Sequence, residues 1–251
     1  MVTLVTNDDG IDAPGLHALA RAAVAAGHEV VVAAPAVQAS GSSASITAQH
    51  EDGSVPSEPR EVPGLDGVPC FAVEAAPALI VLLAAHGAFG APPDLVLSGV
   101  NHGANVGRAV LHSGTVGAAL TAGVNGITAL ATSLDLPTPE HEPHADWDAA
   151  AGVAARLLPV LGDLDAGTVL NLNVPAGGAA DVRFVESPLA DFGVVQTTVT
   201  EEVGGALRLA VRVPEVHDPE DDAARLATGV ATLTALTSVG TVPSGVDVGA
   251  L

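Results

Sequence analysis

The first 35 residues alternate a strand, a helix and a strand, and this alternation constrains the fold more than any other feature of the chain. V-T-L-V-T (2–6) is a short β-rich run. P-G-L-H-A-L-A-R-A-A-V-A-A-G (14–27) reads as a helix, with Pro14 in its first turn and Gly27 at its end. H-E-V-V-V-A-A-P (28–35) is a second buried strand, stopped by Pro35. Two strands joined by one helical crossover lie parallel, and the crossover is right-handed. The expected class is therefore α/β, a Rossmann-like, mostly parallel sheet flanked by helices. A length of 251 residues suits one large domain of this kind, and 48% hydrophobic against 15% charged residues provides a sizeable core. With no Tyr and one Trp, that core must be aliphatic.

The alternation resumes after a serine-rich loop (39–45) and a Pro-, Gly- and acid-rich stretch (49–69), which reads as a β-type excursion within the domain. A helix is expected at about 75–88, a strand at 93–98, a loop opening into a helix at 113–124, and a strand at 127–133. G-V-N-H-G-A-N-V-G (99–107) has too many glycines for a regular element. Residues 146–161 read as a helix and T-V-L-N-L-N-V-P (168–175) as a strand. The pattern then changes to a hairpin, with arms at 194–201 and 206–213 about a Gly204-Gly205 turn, followed by a final helix at 221–230. The expected organisation is one domain over 1–251: an α/β core (1–190) with the excursion near 46–73, a protruding hairpin (191–215), and a C-terminal helix and tail (216–251).

Charge excludes several function classes. The net charge is -21, and all eight basic residues are arginines. Without lysine there is no P-loop lysine, no Schiff base and no lysine general base. An acidic chain also lacks the basic footprint that long nucleic acid requires. The longest apolar stretch, 75–85, breaks at His86 and suits a buried helix better than a bilayer span. M-V-T-L-V-T-N-D-D has no basic n-region and meets carboxylates too early for a signal peptide, so a cytoplasmic location is expected. Cys70, the single cysteine, permits no intrachain disulfide and reads as a small buried hydrophobe.

In an open parallel sheet, ligands bind beyond the carboxyl ends of the strands. Three polar, Gly-rich loops follow three expected strands there. The first carries Asp8 and Asp9, the second Ser40, Ser42, Ser43 and Ser45, and the third Asn101 and Asn105. Each is compatible with an ordinary solvated turn. Together, carboxylate, hydroxyl and amide oxygens without a soft ligand form the donor set of a hard cation. S-G-T-V-G-A-A adds Ser113, Gly114 and Thr115 at a helix start, where backbone N–H groups can approach an anion or the hydroxyls can simply cap the helix. A cation beside an anion cradle suggests a bound phosphate.

These segments are similar to those of a known family. T-N-D-D-G-I-D-A-P-G-L, A-P-A-V-Q-A-S-G-S-S-A-S-I-T and P-D-L-V-L-S-G-V-N-H-G-A-N-V-G-R-A-V-L-H-S-G-T-V-G-A-A-L resemble the SurE family of survival-protein phosphatases, metal-dependent 5′/3′-nucleotidases. The resemblance covers 1–135 well and continues more loosely through L-N-L-N-V-P and the D-D-A-A-R-L-A-T-G-V-A-T-L-T-A-L ending. It implies one Mg²⁺ or Mn²⁺ ion per subunit, held by Asp8, Asp9, Ser40 and Asn101, with the S-G-T of the helix start at Ser113, Gly114 and Thr115 on the phosphate; Asn105 and His102, read from the third loop itself, are further candidate phosphate or substrate contacts. It also implies a homodimer or homotetramer that exchanges the hairpin between subunits. The chain departs from the family pattern at Ala36, at Ala39, at Ser43-Ala44-Ser45 in place of a G-H-S triplet, at Leu79 and at Arg108-Ala109.

The resulting expectation is a hydrolase that splits nucleoside monophosphates into nucleoside and phosphate, with Asp8 and Asp9 as catalytic residues and Asp9 orienting the attacking water. No G-x-S-x-G elbow supports Ser40 as a covalent nucleophile. His102, beside Asn101, is a candidate acid or substrate contact, as to a similar or lesser degree is His112, and Arg108 is a candidate to grip a phosphate or base. His17 and His28 read as structural, and His141 and His144 as solvated. The runner-up is a non-catalytic or altered-substrate homologue that still binds nucleotide or metal. A glycosyltransferase half, suggested by G-H-E-V-V-V-A-A-P, explains neither T-N-D-D-G nor S-G-T-V-G.

Overall fold

A computed structural model describes residues 1–46, 53–136, 145–177, 181–191, 196–203, 206–212, 218–237, 239 and 241. The elements in chain order begin with β1 (Val2–Thr6), α1 (Pro14–Ala25), β2 (Glu29–Pro35), β3 (Ser57–Pro59), β4 (Cys70–Val73), α2 (Pro77–Ala85) and β5 (Leu95–His102). A 3₁₀ helix (Gly107–His112) leads into α3 (Gly114–Val124), β6 (Thr128–Asp135), α4 (Trp147–Ala155) and α5 (Leu158–Leu161). The chain continues through β7 (Val169–Pro175), β8 (Phe184–Glu186), β9 (Gln196–Val203), β10 (Ala206–Arg212), α6 (Asp222–Ala227) and β11 (Ala231–Leu236).

Nine strands form one sheet in the order β3-β4-β2-β1-β5-β6-β7-β11-β8. The central pairs β2–β1, β1–β5, β5–β6 and β6–β7 are parallel, as the opening βαβ unit requires. Antiparallel pairs occur at β3–β4 and at β11–β7. Successive strand residues feed opposite faces. Leu4 belongs to the core cluster that holds Ile80 of α2 and Val116 of α3, while Val5 belongs to the one that holds Leu16 of α1 and Val153 of α4. Burial on both faces explains why these strands read as continuous apolar runs. Each fully buried leucine, such as Leu97 or Leu130, adds about 1.5–3 kcal/mol.

Several elements differ from the sequence expectation. The helix expected over 146–161 divides into α4 and α5, because Pro159 stands at the start of α5 and cannot donate to the preceding turn. The glycine-rich 99–107 segment is partly regular, since β5 runs on to His102. Gly99 makes this possible: its φ is +133°, and a Cβ there would lie 2.2 Å from the Thr132 carbonyl oxygen. The pairing with β6 shifts register between Ser98 and Asn101, a bulge that re-aims Asn101 and His102.

The C-terminal part is the larger correction. The final helix is shorter than 221–230, and the expected tail contains β11, a strand inserted between β7 and β8. A-T-L-T-A-L is too short for its period of two to stand out behind a helical segment. Strand β8 was also not expected. The hairpin arms pair antiparallel as β9 and β10, in a two-stranded sheet of their own. Its Gly204-Gly205 turn, His141, His144 and the end of the tail lie outside the described residues. No helix among the described residues is long and apolar enough to cross a membrane.

Candidate active site

Strand β1 lies between β2 and β5, so the chain runs outward from it in both directions. The loops after β1 and β2 and the end of β5 therefore meet at the switch point of the sheet. Asn7 shapes the first loop. Its side chain donates to the Gly10 carbonyl and accepts from the Gly10 N–H, both at 3.1 Å, and the residue is fully buried. This closed Asx turn sends the next two carboxylates to different neighbours. Sequence reading passed over Asn7, although Asn three residues before Gly is the usual signature of such a turn.

Asp8 faces α3. Thr115 Oγ1 donates to Asp8 Oδ1 at 2.5 Å, and Ala39 N–H donates to the Asp8 carbonyl at 2.7 Å. Gly114 is needed for this approach, because a Cβ there would lie 2.8 Å from Asp8 Oδ2 and 2.7 Å from Ser42 Oγ. Burial pushes the Asp8 carboxyl up to about 6, with the neighbouring Asp9 charge adding to it and the Thr115 hydrogen bond opposing it. Asp9 faces the other way. It accepts from the His102 backbone N–H at 3.3 Å and from Gln38 Nε2 at 3.4 Å.

The remaining candidates divide into those turned to the site and those engaged in the scaffold. Ser40 is exposed and follows Ala39, which bonds to Asp8. Asn101 donates its amide to the carbonyls of His102 and Gly103 at 3.0 and 2.7 Å, an arrangement that leaves its carbonyl oxygen as the acceptor. Ser113 caps α3, its Oγ accepting from the Val116 N–H at 3.1 Å. Thr115 is fully buried, and its hydroxyl tethers Asp8.

Asn105 is a structural hub. Its Nδ2 donates to Ser133, its N–H to Asn173, and its carbonyl accepts from Asn171 and Asn173, all within 2.9 Å. The two asparagines of L-N-L-N-V-P hold the third loop in this way, a signal present in the sequence as polar residues inside a core strand. Arg108 pairs with Asp191 at 2.8 Å. His17 donates to the Ile11 carbonyl at 2.7 Å and His28 pairs with Thr3 at 2.8 Å, in keeping with structural roles. Leu79 packs in the core cluster with Val116.

The donor chemistry fits a hard cation. Asp8 and Asp9 are adjacent carboxylates, burial disfavours the charged form of Asp8, and Ser42 Oγ is a buried hydroxyl without a hydrogen-bond partner beside Asp8. Among the described residues no three His, Cys, Asp or Glu side chains cluster as metal ligands. Any ion here must therefore rely on neutral oxygens as well, as Mg²⁺ and Mn²⁺ readily do. A cleft of about 520 Å³ opens beside Asp9, and none of the described residues lining it is cationic.

The model of the family described as "Survival protein SurE" matches residues 3–200. The chain belongs to the SurE family. Its curated relatives include the 5'-nucleotidase SurE of Xanthomonas campestris pv. campestris (strain B100), 43% identical over 184 residues, which make up 72% of this chain and 66% of that protein. The 5'-nucleotidase SurE of Xanthomonas axonopodis pv. citri (strain 306) is 42% identical over the same length. The matched region thus spans slightly less than two thirds of these relatives. The crystal structure of the SurE protein from Aquifex aeolicus superposes with a TM-score of 0.76 at 26% identity, covering 96% of this chain and 95% of that one. The α/β sheet with its flanking helices is the SurE fold.

Proposed function

We propose that this SurE chain is a 5'-nucleotidase, a hydrolase that releases phosphate from nucleoside 5′- and 3′-monophosphates with the aid of one Mg²⁺ or Mn²⁺ ion per subunit. The observation that carries the reading is the seating of the α3 N-terminus directly on Asp8, through Gly114 and Thr115, beside the second carboxylate of Asp9. A helix N-terminus attracts phosphate, but two carboxylates repel it. The combination is productive only when a cation lies between them.

Asp8, Asp9, Ser40 and Asn101 would hold that ion, with Ser42 the nearest additional oxygen. When bound, the ion supplies charge neutralisation at the phosphoryl oxygens and makes a water more acidic. Asp9 orients the attacking water and takes its proton. The water oxygen bonds to phosphorus as the ester P–O bond breaks, and the nucleoside oxygen leaves with a proton from solvent, to which Asp9 returns its own. Ser113, through its O–H, and the first N–H groups of α3 grip the phosphoryl oxygens that the ion does not reach. Thr115 holds Asp8 in one orientation.

A cytoplasmic homodimer or homotetramer, with the 191–215 hairpin exchanged between subunits, completes the proposal. The two-stranded sheet of β9 and β10, separate from the main sheet, supports an exchangeable arm. Phosphate release from AMP-type substrates with Mn²⁺, abolished in Asp8→Asn, is the expected result. Tight nucleotide binding without turnover across a broad panel of phosphate esters would overturn it.

A further inference from the structure

The serine-rich loop over 39–45 is anchored at two places. On the β1 side, Gln38 Nε2 donates to Asp9 Oδ1 at 3.4 Å and the Ala39 N–H donates to the Asp8 carbonyl at 2.7 Å. On the other side the loop lies against the 3₁₀ helix and α3. Ser43 Oγ donates to the Leu111 carbonyl at 2.6 Å. The Ser43 carbonyl sits over Gly117, where a Cβ would lie 2.3 Å from that oxygen and 2.7 Å from the Ala44 nitrogen. These are backbone atoms, which cannot swing aside as a side-chain tip can. Gly117 lies about one turn along α3 from Gly114, whose own lack of a Cβ admits Asp8 and Ser42. Ser43 has a φ of +53°, in the left-handed region that a residue with a Cβ seldom occupies. Such a conformation persists only where the surroundings impose it.

We propose that Gly117 is a positioning residue for the cation site: its bare backbone is the seat on which the serine loop rests, and that seat fixes where Ser40 and Ser42 present their hydroxyls. The inference rests on the metal-dependent nucleotidase reading above and adds to it the residue that sets the geometry of the ligands. Ser40 stands between the two anchors, Ala39 on Asp8 and Ser43 on Leu111, and is followed by Gly41 at φ +74° in open space. Ser42 Oγ is buried beside Asp8 without a partner, a hydroxyl left for an ion to engage. A Cβ at 117 would lift the Ser43 carbonyl off α3 and carry both hydroxyls away from the aspartates. A second crowded glycine in the same helix provides the comparison. At Gly123 a Cβ would lie 2.5 Å from Val169 Cγ2 and 3.0 Å from the Gly167 carbonyl oxygen, at the end of α3 remote from Asp8. Substitution there strains the core and leaves the loop seated.

Mn²⁺ binding to the full chain, read from the electron paramagnetic resonance signal of the free ion, tests the seat without reference to catalysis. Gly117→Ala is expected to weaken Mn²⁺ binding about tenfold or more, the scale of changes just outside a metal's own ligands. Ser43→Ala removes only the tether to Leu111 and introduces no clash. It is expected to weaken binding in the same direction, and it decides the question if Gly117→Ala does not fold. Gly123→Ala is expected to lower Tm and leave the Mn²⁺ affinity unchanged. In turnover of AMP, the Mn²⁺ concentration for half-maximal rate should rise in the Gly117 and Ser43 variants, while kcat at saturating Mn²⁺ is kept. Parental Mn²⁺ affinity in Gly117→Ala, or in Ser43→Ala where the glycine variant does not fold, overturns the inference and leaves the nucleotidase reading intact. An equal loss of affinity in Gly123→Ala overturns it as well. Weakened Mn²⁺ binding in a chain that hydrolyses no phosphate ester supports the seat and overturns the hydrolase reading instead. A parent chain that takes up no Mn²⁺ overturns both.

Discussion

Asp8 at the end of β1 and Asp222 at the start of α6 are both buried aspartates, 6% and 0% exposed, yet their surroundings differ in kind. Asp222 is saturated. Its two oxygens accept from the backbone N–H groups of Gly107, Ala190 and Ala223 at 2.9–3.1 Å, so one side chain ties two distant segments to the start of its own helix. Burial pushes its carboxyl up, and those N–H groups pull it back. Asp8 accepts from the Thr115 hydroxyl and from backbone N–H groups of Thr115 and its own residue, all within one local site, and has a second carboxylate as its neighbour and a buried, unpartnered serine hydroxyl close by. A carboxylate that builds structure joins distant segments, and one that awaits a ligand lies beside a second carboxylate and a hydroxyl without a partner. The two regions thus give a local criterion for which buried acid is architectural and which is functional.

The largest effect should come from Asp8→Asn. Its kcat/KM for AMP with Mn²⁺ should fall on the order of a thousandfold, the scale of losing a group that stabilises only the reacting state. Retention within tenfold would mean that Asp8 is no ligand. Asp222→Ala comes next, leaving three buried N–H groups without an acceptor. Urea unfolding should show a loss of about 3 kcal/mol or more, and a loss below about 1 kcal/mol would break the contrast.

The third prediction has the opposite sign. In chelator, Asp8→Asn should be more stable than the parent chain at neutral pH. The folded carboxyl titrates near 6 against an ordinary 3.8, so its destabilising contribution is absent below pH 4 and develops as the pH rises through 6. The full gain is at most about 3 kcal/mol. Thermal unfolding at several pH values should show the two curves together in acid and apart at pH 7, and parallel curves would remove the idea of an under-coordinated carboxylate. Thr115→Val deletes the one hydroxyl donor to Asp8 and should cost about 1.5–3 kcal/mol in the metal-free state at neutral pH. Arg108→Ala breaks an ion pair whose side chains are 72% and 76% exposed, and should stay within about 0.5 kcal/mol of the parent.

The sequence was most legible where chemistry and topology coincide. The β1-α1-β2 unit, the buried strands and the approach of the α3 start, at Gly114 and Thr115, to the loop of Asp8 were readable, because a switch point leaves few places for polar loops to go. Asp222 was not readable. Its partners lie 115 and 32 residues away, and an aspartate at a helix start looks the same whether it caps locally or bonds across the fold. The role of Asn105 was misread for a similar reason: a polar residue in a Gly-rich loop suggests a ligand, while the bonds that occupy it come from Asn171 and Asn173 in another strand. Strand β11 escaped because tertiary pairing with β7 and β8, rather than local pattern, holds six residues in place.

The central claim is that Asp8 and Asp9 are completed by a cation. Phosphate release from AMP by the chelator-treated chain, before and after Mn²⁺ is restored, tests it most directly. The account predicts release only with Mn²⁺ present. Equal release in chelator and in Mn²⁺ would contradict it.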